Sequence, residues 1–196
     1  MKSFKRATNS MIGILAIQGD YEAHAKMLAQ LHVSYCFVKT VTQLNACRAL
    51  IIPGGESTTL LHFISRNGLF DAMIQFAQKE KPIFGTCAGA ILLAKTVKNP
   101  TQKNLGLMNI TIERNSYGRQ MESMIAKGQT SLSSDEEEMV FIRAPKILNV
   151  GDNVEVLATY QDHPVFVREG HCLAATFHPE LSKSLLWHRY FDQLSS

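Results

Sequence analysis

At 196 residues, with 45% hydrophobic and 19% charged residues, the chain is long enough to bury a substantial core and too apolar to stay disordered. Its net charge of +3 comes from Lys and Arg scattered along the sequence, which argues against a nucleic-acid-binding stripe, and its apolar runs fall far short of a membrane span. The four cysteines, Cys36, Cys47, Cys87 and Cys172, are widely spaced with no C-x-x-C pair, which argues against structural zinc and a disulfide framework and suits a reducing cytoplasm.

Residues 1–10 are polar and basic and lack the apolar centre of a signal peptide, so they are expected to be a flexible leader before a single domain at 11–196. The near-continuous apolar run Ile12–Ile17 predicts a strand covered on both faces. Gln18-Gly19-Asp20 makes a loop, and Ala23, Met27, Leu28 and Leu31 mark a helix. Ser34–Val38 and Ala49–Ile52 predict further strands, the second ending at Pro53-Gly54-Gly55-Glu56-Ser57. Ser57 is the expected N-cap of a helix through Leu60, Leu61 and Ile64. Gly68 ends that helix, and Phe70, Met73, Ile74 and Ala77 mark another before the strand Ile83-Phe84. Repeated strand–helix units at short intervals imply parallel strands.

Beyond Pro100 the pattern changes. Leu107–Ile112, Met139–Ile142, Val154–Ala158, Pro164–Val167 and Cys172–Phe177 read as strands with no helix-length segment between them, so antiparallel pairing is expected. Asp135-Glu136-Glu137-Glu138 reads as a solvated loop, and Trp187, Tyr190, Phe191 and Leu194 mark a final helix. The expected architecture is a three-layer α/β fold with a mostly parallel central sheet and antiparallel additions in the C-terminal half.

Gly85-Thr86-Cys87-Ala88-Gly89 follows a strand and opens the apolar helical stretch Ile91-Leu92-Leu93-Ala94. This is the pattern of a nucleophile elbow with cysteine in the reactive position. Small neighbours fit beside a strained residue, and the turn sets the sulfur at a helix N-terminus, where the dipole favours negative charge. A cysteine nucleophile needs a base, and the base an orienter. His178-Pro179-Glu180 offers both, since residues i and i+2 of extended backbone point the same way. His171 is the rival base. His24, His32, His62, His163 and His188 have no partner at useful spacing and read as surface or satisfied core residues, and Cys36, Cys47 and Cys172 as small packed hydrophobes.

Attack on a carboxamide creates an oxyanion that needs preorganised donors. The backbone N–H groups of Gly55, at an unobstructed Gly-Gly, and of Ala88, next to the nucleophile, are the natural candidates. A phosphate-binding role for Pro53–Ser57 is the competing idea, but the segment lacks the Gly-Lys-Ser/Thr ending of a P-loop. Turn glycines with no catalytic role are the plainest alternative.

Together, Gly54-Gly55-Glu56-Ser57-Thr58-Thr59, the Cys87 elbow, Glu113-Arg114-Asn115-Ser116-Tyr117-Gly118-Arg119-Gln120, Phe141-Ile142-Arg143-Ala144-Pro145 and Phe177-His178-Pro179-Glu180 resemble the triad-type, class I glutamine amidotransferases. Within them they resemble the glutaminase subunits of pyridoxal 5′-phosphate synthase, from Met11 to the C-terminus. The resemblance implies a flavodoxin-like class I amidotransferase fold and hydrolysis of L-glutamine to glutamate and ammonia by Cys87, His178 and Glu180. It implies no metal and no cofactor. By the same resemblance, Gly55, Glu56, Ser57, Arg114, Ile142 and Arg143 bind glutamine. An Arg and a Glu complement the carboxylate and ammonium of an amino acid, although a plain salt bridge is the other reading of Arg114 and Arg143. The implied partner is a TIM-barrel synthase subunit, in a large assembly around a synthase dodecamer. Its docking is expected to rearrange the Gln18-Gly19 loop and bring Gly19 into the oxyanion hole. The alternatives are a glutaminase serving another acceptor enzyme, and a catalytically silent scaffold.

Overall fold

The computed structural model describes residues 11–114 and 123–196. The N-terminal leader and positions 115–122, which include Asn115–Gln120 of the motif after Arg114, lie outside the described residues.

The first half alternates strands and helices. β1 (Ile12–Leu15), α1 (Tyr21–Gln30), β2 (Tyr35–Val38), α2 (Val41–Asn45), β3 (Ala49–Ile52), α3 (Ser57–Arg66), α4 (Leu69–Gln78), β4 (Ile83–Thr86) and α5 (Ala88–Leu93) follow in order. The short α2 is absent from the sequence expectation. It is nucleated by a capping box, in which the Thr40 hydroxyl oxygen accepts from the Gln43 backbone N–H and the Gln43 side-chain Oε1 accepts from the Thr40 backbone N–H. The N-cap of α3 is Glu56 and not Ser57, because the Glu56 carboxylate accepts from the N–H groups of both Thr58 and Thr59. Gly68, at φ 74, supplies the left-handed residue that separates α3 from α4.

The second half is richer in strands than expected: β5 (Ala94–Lys98), β6 (Met108–Glu113), β7 (Ser123–Thr130), β8 (Glu137–Ile142), β9 (Lys146–Val150), β10 (Glu155–Tyr160), β11 (His163–Glu169) and β12 (Cys172–Ala175), followed by a 3₁₀ turn at Pro179–Leu181 and α6 (Leu186–Leu194). β5, β7 and β9 were not expected. The acidic run is a loop only in part, since Glu137 and Glu138 open β8 and Glu138 accepts from the Lys183 N–H at 3.1 Å.

Among the described residues, nine strands form one sheet in the order β2-β1-β3-β4-β12-β11-β10-β7-β8. β2, β1, β3, β4 and β12 run parallel, and β11, β10, β7 and β8 extend the sheet antiparallel. β5, β6 and β9 make a separate small sheet, in which β6 pairs antiparallel with β9, as expected of the strands beyond Pro100, and parallel with β5, which precedes Pro100. Buried apolar residues cover both faces of the main sheet. On one face Leu50, Ile52 and Ile83 pack with Leu60, Ile64, Met73 and Phe76 of α3 and α4. On the other, Ile12, Ile14, Ile51 and Phe84 pack with Leu28 of α1 and Trp187 and Phe191 of α6. Strands buried on both sides read as continuous apolar runs, and β1, β3, β4 and β12 are buried at every position.

One pairing positions the site. β12 lies beside β4 in parallel register, Ala175 opposite Thr86, and the Cys87 N–H donates to the Ala175 carbonyl at 2.8 Å. The segments after β4 and β12 therefore leave the sheet side by side at its carboxyl edge, where open α/β sheets form their sites. The loops after β1 and β3 emerge at the same edge.

Candidate active site

Cys87 occupies the turn between β4 and α5 with φ 48 and ψ −104, a backbone conformation that L-residues rarely adopt. Two glycines permit the turn. A Cβ on Gly85 would lie 2.5 Å from the Gly89 carbonyl, and one on Gly89 would lie 2.0 Å from the Ile52 carbonyl oxygen. The elbow is thus a close approach of α5 to β3 and β4 that no larger residue allows. The Cys87 side chain is buried and its sulfur lies 3.9 Å from the Ile142 carbonyl oxygen.

His178 Nδ1 and Glu180 Oε1 are 2.7 Å apart, with the Glu180 side chain fully enclosed. The backbone that achieves this is not the extended segment expected from the sequence. Pro179–Leu181 form a 3₁₀ turn starting at His178, whose φ and ψ are −103 and 86. His178 faces Cys87 across Gly54: a Cβ on Gly54 would sit 2.5 Å from His178 Cε1 and 3.3 Å from Cys87 Cβ. The second glycine-pair position, Gly55, has φ 133, which the glycine alone tolerates. Burial works against charge on His178, but its hydrogen bonds to the Cys87 sulfur and to Glu180 prevail and raise its pKa to about 10. Glu180 is buried, which opposes its charge, yet His24 and His178 hold it below the usual carboxylate range.

His171, the rival base, lies exposed at the opposite end of β12, where its carbonyl accepts from the Ile83 N–H. It is far along the strand from the elbow and is eliminated.

A cleft of about 690 Å³ opens beside Cys87 and His178, a volume suited to a small-molecule substrate. Gly19, Gly55, Glu56, Ser57, Arg114, Ile142 and Arg143 all contribute to its lining, so the sequence-predicted binding residues are brought to one place. Ala88 is buried at the start of α5, where the first N–H groups of a helix have no intrahelical partner. Gly19, at φ 78, packs so tightly on the loop after β3 that a Cβ there would lie 1.9 Å from the Gly54 carbonyl oxygen. Gln18 Nε2 donates to the Glu56 carbonyl at 2.5 Å, which ties the two loops together.

Glu56 and Arg114 are paired to each other, Oε1 to Nη2 at 3.1 Å. Partial burial disfavours the Glu56 charge, but hydrogen bonds from Thr58 and Thr59 overcome it and set the pKa at about 2. Gln102, not foreseen from the sequence, accepts from both the Ser57 hydroxyl and Arg114 Nη1 at 3.0 Å. Arg143 is exposed at the cleft mouth with φ 45. Asp20, Ile91, Ser123 and Pro145 also line the cleft without having been singled out. Asp20 places a carboxylate oxygen within 4.8 Å of ligand atoms of His178 and Glu180, which already bond each other.

His24 and His188 overturn their sequence reading. Both are wholly buried, and His24 Nδ1 lies 2.8 Å from His188 Nε2. His24 Nε2 lies 3.3 Å from both Thr86 Oγ1 and Glu180 Oε2. No local spacing could have revealed this, because the partners lie 62 and 164 residues away.

A parallel sheet with a cysteine elbow beside a histidine–carboxylate pair is the fold and site plan of the class I glutamine amidotransferases. A glutamine amidotransferase of known crystal structure superimposes with a TM-score of 0.89 at 41% identity, covering 94% of this chain and 98% of the other. Residues 14–194 match the SNO glutamine amidotransferase family, and the chain belongs to that family. It is similar to the pyridoxal 5′-phosphate synthase subunit PdxT of Koribacter versatilis, with 50% identity over 92% of this chain and 93% of the relative. It is also similar to the PdxT of Thermotoga maritima, with 46% identity over 93% and 98% respectively. No described helix is long and apolar enough to cross a membrane.

Proposed function

We propose that this chain hydrolyses L-glutamine to L-glutamate and ammonia through Cys87, His178 and Glu180, and that it passes the ammonia to a pyridoxal 5′-phosphate synthase subunit. The observation that carries the reading is the His178–Glu180 pair at 2.7 Å beside the elbow cysteine, in one cleft. His178 takes the thiol proton through Nε2, since its Nδ1 is engaged by Glu180. The sulfur attacks the side-chain carbonyl carbon of glutamine, and the N–H groups of Gly55 and Ala88, with Gly19, hold the oxyanion. Collapse breaks the C–N bond, and His178 returns the proton so that ammonia leaves. Water, losing a proton to His178, then attacks the glutamyl thioester, and glutamate departs as the Cys87 thiol is restored. Arg114 and Glu56 complement the substrate's carboxylate and ammonium, with Ser57, Ile142 and Arg143 completing the pocket.

The acceptor is inferred from the relatives, which are named as subunits of pyridoxal 5′-phosphate synthase. The proposed partner is a TIM-barrel synthase subunit, in an assembly around a synthase dodecamer in the cytoplasm. Its docking reshapes the Gln18–Gly19 loop and completes the oxyanion hole. The test is glutamate release by this chain alone and with the synthase subunit added. A large rise on addition is expected. Equal rates would remove the activation step, and no glutamate in either case would sink the whole reading.

A further inference from the structure

The buried carboxylate of Glu180 is held on one side only by the residues of the proposed mechanism. Oε1 meets His178, whereas Oε2 is enclosed, has no well-aligned hydrogen bond, and lies 3.3 Å from His24 Nε2. The same His24 nitrogen lies 3.3 Å from the hydroxyl of Thr86, the residue immediately before the nucleophile. From this juxtaposition we infer that His24 is a positioning residue of the active site, an inference that rests on the glutaminase reading above: it holds the second oxygen of Glu180 from α1 and ties it to the end of β4.

The proton placement follows from the partners. A carboxylate can only accept, so the proton of a neutral His24 belongs on Nε2, shared between Glu180 Oε2 and Thr86 Oγ1. Nδ1 is then a lone pair, and it accepts from the N–H on His188 Nε2 at 2.8 Å. That leaves His188 Nδ1 bare, and this atom is the one without a hydrogen-bond partner. An unmatched acceptor fits this chain of donors; the opposite tautomers would turn a buried N–H into the orphan and aim a lone pair at the carboxylate. Burial keeps both rings neutral: it lowers His24 although Glu180 pulls the other way, and it lowers His188 to about 3. The result is a buried row, His188 to His24 to Glu180 to His178, in which a neutral dipole restrains the orienting carboxylate. When His178 carries its proton during turnover, Glu180 stays anionic and aligned because Oε1 is bonded to His178 and Oε2 faces the His24 N–H at 3.3 Å. Partners of this kind, one step removed from the reacting groups, are worth on the order of 10- to 100-fold in activity.

The test is glutamine hydrolysis, with the synthase subunit present, by His24→Gln, His24→Phe and His24→Asn. The amide nitrogen of Gln reaches the place of Nε2, that of Asn the place of Nδ1, and Phe keeps only the ring. His24→Phe and His24→Asn are each expected to lose about 10-fold or more in kcat with KM within about twofold, and His24→Gln to stay within about threefold of the parent. If His24→Phe does not fold, the Asn and Gln pair carries the comparison. Unchanged kcat in the Phe or Asn variant, or an equal loss in all three, would overturn the inference. Cys87→Ala in the same assay separates the layers. Turnover that survives it sinks the reading of the site, whereas turnover that needs Cys87 but ignores His24 sinks only the role of His24.

Discussion

His178 and Glu180 stand two residues apart and meet side chain to side chain at 2.7 Å, inside the protein, on a 3₁₀ turn that begins at His178. A carboxylate so placed holds the imidazole in one tautomer and stabilises its charged form. Glu180→Gln keeps the shape but takes away the charge and can invert the tautomer. It is expected to lower kcat on the order of 10²- to 10⁴-fold. The pH profile gives a second readout. With the His178 pKa raised to about 10, the proton it must deliver to the leaving amine is retained up to that range and lost above it, which places the alkaline limb of kcat/KM there. In Glu180→Gln the limb moves to lower pH. An unmoved limb would show that Glu180 does not act on His178.

Gly54 is required by proximity and not by its backbone angles. A methyl group there would lie 2.5 Å from His178 Cε1 and press on Cys87. Gly54→Ala is therefore expected to push the imidazole aside and cost on the order of 100-fold in kcat, with the melting temperature nearly unchanged. A Gly54→Ala enzyme with parental kcat would mean that His178 need not sit where it does.

Arg114 holds Glu56 and Gln102, and it lines the cleft. If it receives the substrate carboxylate, Arg114→Ala raises KM for glutamine about 10- to 100-fold, the value of a charge-assisted hydrogen bond, with a smaller change in kcat. If it serves only as a brace, KM holds and the melting temperature falls. Arg114→Lys should not rescue KM, because an ammonium cannot contact two partners in one plane.

His188 predicts an acid weakness. Burial lowers its pKa from 6.5 to about 3, so the unfolded chain binds a proton there that the folded chain refuses. Stability from this residue is complete above about pH 6.5 and is lost progressively as pH falls toward 3, by up to ~1.4 kcal/mol per pH unit. Thermal melts across that window should show a shallower pH dependence in His188→Phe than in the parent. Parallel curves would mean that His188 is not the neutral buried group described above.

The elbow was legible because its requirement is local: a strand, a cysteine and small residues on either side must be consecutive in sequence. The same holds for His178 and Glu180, although the turn joining them was not the extended one expected. The nearness of β12 to β4 was not legible, since no sequence spacing states which strand a returning chain will join. α2 escaped notice because five residues are too few for an apolar period, and β5 because it leaves α5 with no turn residue between them. Glu56 took the cap expected of Ser57 because its longer side chain reaches two N–H groups at once. His24 was invisible for the deepest reason. Its partners come from β4, the turn after β12 and α6, and only the finished fold brings them to one ring.

The central claim is that the Cys87 sulfur is the nucleophile, and glutamate release by Cys87→Ala with the synthase subunit present tests it most directly. The variant keeps the cleft, His178 and Glu180 and lacks only the attacking atom. Turnover is expected to fall by at least about 10³-fold, leaving what binding and the oxyanion donors supply alone. Turnover within about tenfold of the parent would contradict the claim and remove Cys87 from the chemistry.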